Sequence, residues 1–296
     1  TPRIYSSNLK KKAEERGVEI ACMDDHEIFG EVAHTLSFSE SISKGLLTDY
    51  KVVVVGIDDQ TISTWITNRE VVDLDKELLM DAASLAAMIG LIKIMGNKEY
   101  DLRRIITFHN RIKGAKQFKD DILDVIDWIE SDKRPTGEIW SDSIDGTMTA
   151  DARNKKLKRL KTLTPIERGI ISNARCLSEG VDVPALDGVG FFEPRRSQID
   201  IIQSVGRAIR LSQDKKHGVI FIPVFIEEGE NPESKIEASN FKPVWDIVNA
   251  LKSHDNVLKV ELDQYRYQLG KKSRSTIRSF SHNKIVFDLP ANIDKS

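Results

Sequence analysis

The run Lys51–Ile57 (KVVVVGI) is apolar at nearly every position, and Gly218–Ile226 (GVIFIPVFI) repeats the pattern far along the chain. A strand with one wet face alternates apolar and polar residues. A strand that is apolar on both parities must be covered on both faces, which points to a parallel sheet between layers of helix. Further strands are expected at Arg104–His109, Glu138–Ser141, Gly169–Ser172 and Gly188–Phe192. Helical periodicity separates them at Asp75–Met95, Lys113–Glu130, Ala150–Leu163 and Gln198–Leu211. This alternation predicts an α/β fold with helices on both faces of the sheet.

The 296 residues, 40% hydrophobic and 30% charged, suffice for one large or two modest domains. A formal charge of −2 supplies no general attraction for nucleic acid or acidic membrane, so such binding must come from local patches. Cys22 and Cys176 stand too far apart in sequence to suggest a disulfide framework or a zinc site, and a reducing, cytoplasmic setting is expected. The longest apolar candidate, Ala82–Met95, is interrupted by Ser84, Gly90 and Lys93, so no membrane partner is expected. The opening Thr1-Pro2-Arg3 lacks a methionine and reads as part of something longer.

The chemistry concentrates in Arg195–Arg210 (RRSQIDIIQSVGRAIR). On a helix, Gln203, Arg207 and Arg210 lie at i, i+4 and i+7 and share one face, expected to be open at a cleft, while Ile201, Ile202, Val205 and Ile209 turn elsewhere. Gly206 lets another group approach between the polar side chains, and a guanidinium can grip phosphate oxygens bidentately. A solvated basic face is the competing interpretation. The same holds for Arg153, Lys155, Lys156, Lys158, Arg159 and Lys161, where a solvated helix face is favoured over a DNA patch.

Together with Ser172–Pro194 (SNARCLSEGVDVPALDGVGFFEP), this stretch resembles motifs V and VI of superfamily 2 helicases, the EGxDxP loop followed by the QxxGRxxR helix. Phe38–Val52, Phe241–Asp255, Leu262–Gly270 and Lys284–Pro290 resemble segments of helicases in type ISP restriction-modification and mobile-element systems. The resemblance implies a RecA-like second motor domain over 48–228, preceded by the tail of a first motor domain and a linker (1–47) and followed by a helical extension (229–296). It implies that Arg207 and Arg210 act as arginine fingers, with Gln203, Gly180 and Asp182 near the nucleotide. It places His109, Asn110, Arg111, Gly146, Thr147, Asn173 and Arg175 along a nucleic-acid backbone, with double-stranded DNA the expected partner.

ATP and Mg²⁺ would be held mainly by an N-terminal RecA-like domain of the same protein, because no GxxxxGK[ST] phosphate loop occurs in this chain. The chain alone is therefore expected to be catalytically silent. Asp24-Asp25-His26-Glu27 imitates a Mg²⁺-binding box, but it stands in the wrong order relative to the other motifs and is taken as an acidic loop. Related proteins fuse a nuclease before the motor and can carry a methyltransferase after it. The alternatives are a nucleic-acid-binding or protein-docking RecA-like module without ATP coupling, and an RNA helicase.

Overall fold

The computed structural model describes residues 11, 13–18, 21–23, 25–58, 60, 62, 63, 82–129, 131–174, 176, 186–193, 198–212, 215–226, 242–270 and 284–288. In chain order the elements are α1 (His26–Phe29), α2 (Phe38–Ser43), β1 (Tyr50–Asp58), α3 (Ala82–Gly96), β2 (Arg104–His109), α4 (Ile112–Trp128), β3 (Glu138–Asp145) and α5 (Ala150–Lys161). They continue with β4 (Glu167–Ala174), β5 (Gly188–Phe191), α6 (Gln198–Ala208), β6 (Gly218–Ile226), α7 (Lys242–Lys252), α8 (Asn256–Gly270) and β7 (Ile285–Asp288).

Among the described residues the strands form one seven-stranded sheet, β3-β4-β2-β5-β6-β1-β7, with every pairing parallel. The two parities of each central strand enter different cores, as the continuous apolar runs require. Val53, Val55, Ile105, Ile170 and Phe221 pack with α3 and α4 on one face. Val52, Val54, Phe108, Ile171 and Ile220 pack with α5, α6, α7 and α8 on the other. This is the parallel α/β architecture, with helices on both faces, expected from the sequence.

Helix α4 shows how the pattern works: Ala115, Phe118, Ile122, Val125 and Ile126 recur at three- and four-residue spacing and are its buried residues. Helix α3 is apolar nearly all round and lies against the sheet so closely that a Cβ on Gly90 would sit 3.2 Å from Phe221 Cζ. Several boundaries differ from expectation. Strand β3 runs to Asp145 rather than Ser141 and β4 spans Glu167–Ala174, because Asp142, Ser143 and Asp145 in β3 and Glu167, Arg168 and Asn173 in β4 are polar and hid strand residues from a search for apolar runs. The described residues within Val18–Met23 form no strand.

The C-terminal segment joins the main body. Strand β7 pairs with β1, and Val244, Ile247, Val248, Leu251, Leu258 and Ile285 belong to the same core as β1 and β6. A buried polar knot fastens it. Asp255, 1% exposed, accepts hydrogen bonds from the Tyr50 hydroxyl (2.8 Å) and from Lys284 Nζ (2.9 Å), and its other oxygen accepts the N–H groups of Val257 and Leu258 at the start of α8. Lys284 also reaches Asp49 Oδ1 at 2.9 Å and lies over the Tyr50 ring. Helix α2 docks nearby, with the Phe38 N–H donating to the His254 carbonyl and Phe38, Ile42 and Leu47 against the core.

Candidate functional site

Helix α6 is set by Ile201, Ile202, Val205 and Ala208, all buried against the sheet. It ends at Ala208, short of the expected Leu211, so Arg210 stands beyond the helix rather than on it. The chain here is held from two sides. Lys215 Nζ donates to the carbonyls of Ala208, Leu186 and Arg210, and Thr48 donates its N–H to the Ile209 carbonyl (2.8 Å) and its hydroxyl to that of Arg210 (3.3 Å). Those carbonyls include the ones a helix end leaves without intrahelical partners. Burial lowers the Lys215 amine to about 8, with Asp187 pushing it back up and Arg104 lowering it further.

The two arginines are not presented alike, contrary to the expectation of a uniformly open face. Arg207 is 8% exposed, whereas Arg210 is exposed. Gln203 is half-buried one turn before Arg207. Between them, a Cβ built on Gly206 would meet nothing within 4 Å, so packing inside the described chain does not require a glycine there. Gly180, Asp182 and Arg175 lie outside the described residues.

Because the sheet is parallel, β2, β3 and β4 end at one edge, and register places His109, Ala174 and Asp145 in one row. Ligands of open α/β sheets bind outside such carboxyl ends. The described members of the expected backbone-contacting set lie along this edge, but they do not all face outward. His109 is 4% exposed; its Nε2 lies 3.0 Å from Thr107 Oγ1 and its ring stacks on Phe192 with centroids 5.4 Å apart. Alternation along β2 turns it under α4, so the ring is buried rather than open at this edge.

Asn173 is fully buried; its Oδ1 accepts from the Cys176 N–H (3.4 Å) and thiol (3.1 Å), while its Nδ2 has no hydrogen-bond partner among the described residues. Thr147 is exposed, yet its N–H (2.8 Å) and hydroxyl (2.5 Å) both donate to Asp145 Oδ1. The Thr147 hydroxyl holds the Asp145 carboxyl below the ordinary range against the opposing effect of burial, with the Thr147 N–H and Lys116 adding to it. Both Thr147 donors are thus engaged by Asp145 within the turn that carries Gly146.

Arg111 is exposed at the N-cap of α4 without a side-chain capping bond, and Asn110 beside it is half-exposed. Lys116, which the sequence reading passed over, stands 3.7 Å from Asp145 Oδ2 with its side chain 57% exposed and adds a cation to this edge. Its signal was only its place one turn after Arg111 on α4. On the basic helix α5, Lys156 pairs with Asp142 and Arg159 lies over the Trp140 ring, 4.2 Å from its centroid. Asp25, from the acidic run near the start, caps α1 through the N–H groups of Glu27 and Ile28.

This parallel sheet, with its QxxGRxxR stretch at one end, has a RecA-like fold that matches helicase C-terminal domains. Residues 85–212 match the helicase conserved C-terminal domain family. It is similar to the ATP-dependent type ISP restriction-modification enzyme LlaBIII bound to DNA: 28% identity, TM-score 0.75, covering 92% of this chain and 17% of that one. It is also similar to probable helicases of African swine fever virus. A Kenyan pig isolate matches at 27% identity over 240 residues, and a Malawian tick isolate at the same identity, each covering 79% of this chain. The chain spans 24% of the length of those viral relatives. No helix among the described residues is long and apolar enough to cross a membrane.

Proposed function

We propose that this chain is the C-terminal motor half of an ATP-dependent DNA helicase or translocase. The observation that carries the proposal is the surface around Gly206, where open space adjoins a helix bearing Gln203 and Arg207, with Arg210 at its end. A glycine inside a helix costs about 0.5–1 kcal/mol relative to alanine. With no contact inside the described chain to require it, the glycine fits a surface that another group approaches. The residues present suit a nucleoside triphosphate: two arginines, an amide and a gap that admits a phosphate or a facing backbone. ATP bound with Mg²⁺ on an N-terminal RecA-like domain would supply the phosphoanhydride that is hydrolysed.

This chain's own contribution is positional and electrostatic. Lys215 and Thr48 hold the Ala208–Arg210 carbonyls, so the Arg210 guanidinium projects from an anchored backbone. Helix packing holds Arg207. When the cleft closes, both would neutralise charge building on the transferred phosphoryl group. Arg111, Asn110, Gly146 and Lys116 would follow a phosphate backbone without reading bases. The likeness to LlaBIII, an ATP-dependent enzyme seen bound to DNA, favours DNA over RNA. The test is ATP hydrolysis by the full-length protein with duplex DNA, single-stranded DNA or RNA: stimulation by DNA is expected, and stimulation by RNA alone would overturn the DNA assignment.

A further inference from the structure

Two loops of different function meet at one carboxylate. The Asn110 N–H, at the turn entering α4, donates to Glu193 Oε2 at 2.6 Å. A Cβ on Gly114, in the first turn of that helix, would lie 3.0 Å from the other carboxylate oxygen. Glu193 therefore reaches across the start of α4, and a side chain at Gly114 would crowd it. The preceding residue anchors the same segment. Phe192 stacks on His109, meets Phe118 edge-on at 4.6 Å and Phe221 at 5.7 Å between centroids, and leaves no room for a Cβ on Gly190.

Glu193 thus joins the turn that carries Asn110 and Arg111 to the end of β5, and Phe191 of β5 shares a core with Ile201, Ile202 and Val205 of α6, the helix that bears Gln203 and Arg207. A shift of the Asn110 backbone on meeting a nucleic-acid phosphate must either drag Glu193 with it or break a charge-assisted hydrogen bond. The aromatic packing of Phe192 ties the end of β5 to His109, Phe118 and Phe221, and close-packed groups transmit displacement rather than absorb it. From this we infer that Glu193 is a positioning residue that couples occupancy of the nucleic-acid edge to placement of the arginine helix. The inference rests on the motor reading above and adds to it the residue through which the two sites communicate.

Coupling between two binding sites is reciprocal and typically corresponds to a 5- to 150-fold change in affinity. In the full-length protein, the affinity for a non-hydrolysable ATP analogue is measured with and without duplex DNA, and that for DNA with and without the analogue. In Glu193→Ala both coupling factors should fall together by about tenfold or to unity. Each affinity measured alone, and the unstimulated ATPase, should stay within about twofold. Glu193→Gln retains an acceptor for the Asn110 N–H and should lie between wild type and Ala, which also provides a test should the alanine variant fold poorly. Wild-type coupling in both variants, or equal loss of every affinity together with a lower melting temperature, would overturn the inference. Absence of coupling in the wild-type protein would instead count against the motor reading itself.

Discussion

Replacing Asp255 by alanine removes the centre of the knot that fastens β7 and α8 to the sheet. In the native chain that carboxylate is 1% exposed and is held by the Tyr50 hydroxyl, Lys284 Nζ and the N–H groups of Val257 and Leu258. Alanine leaves Lys284, 7% exposed, with Asp49 as its remaining ion-pair partner among the described residues, and that side chain is 47% exposed. Breaking a buried ion pair from one side costs about 3–5 kcal/mol. Loss of the α8 cap adds about 1 kcal/mol, though the two effects overlap. At about 2 °C per kcal/mol for a chain of this size, the melting temperature should fall by about 6–10 °C.

Asparagine still caps and still accepts a hydrogen bond, so Asp255→Asn should cost less than alanine. Burial alone would raise the Asp255 carboxyl, but Lys284, the Tyr50 hydroxyl and the Leu258 N–H outweigh it and hold it below the ordinary value. A carboxyl depressed in the folded state contributes stability above its unfolded value, about 3.9, and loses it as pH falls through the folded value. The gap between wild type and Asp255→Asn should therefore narrow on acidification below about pH 4. Thermal melts across pH read this directly. A melting temperature within about 1 °C of wild type for Asp255→Ala, or additivity with Lys284→Met, would refute the reasoning.

Gly206→Ala should stabilise the chain by about 0.5–1 kcal/mol in a melt, since a Cβ there meets nothing within 4 Å, yet lower DNA-stimulated turnover of the full-length protein. Unchanged turnover would mean that nothing approaches that surface. Lys215→Met should destabilise the chain by stranding the carbonyls of Ala208, Leu186 and Arg210. Because the folded amine titrates near about 8, below its unfolded value of about 10.4, the unfolded state binds more protons between them, so the Lys215 contribution grows as pH rises through that window. Urea titrations of wild type and variant from pH 7 to 10 should therefore diverge.

The layers and the order of elements were legible because continuous apolar strands and three- or four-residue helical spacing are direct marks of two-sided burial. The knot was not. Asp255 and Lys284 are an ordinary acid and an ordinary base in sequence, and only the parallel pairing of β7 on β1 brings them together. The arginine helix could be found from its spacing, but its end could not, since Lys215 and Thr48 stop it through tertiary contacts. The burial of His109 was hidden for a related reason. Its place at the end of a strand was right, but strand alternation turned the ring inward against Phe118 and Phe192. Glu193 gave no signal beyond standing before a proline.

The central claim is that Arg210 and Arg207 act on ATP held by another domain. Steady-state ATPase of the full-length protein, with and without duplex DNA, tests it most directly on Arg210→Ala, because Arg210 is exposed and its loss should leave the melt unchanged. Turnover should drop by about 10³-fold or more, as when an arginine finger is lost, with nucleotide affinity much less affected. Arg207→Lys should also fail, because an ammonium cannot reproduce the guanidinium fork. Turnover at the wild-type rate in both variants, with normal melts, would contradict the account and leave the end of α6 as a basic surface.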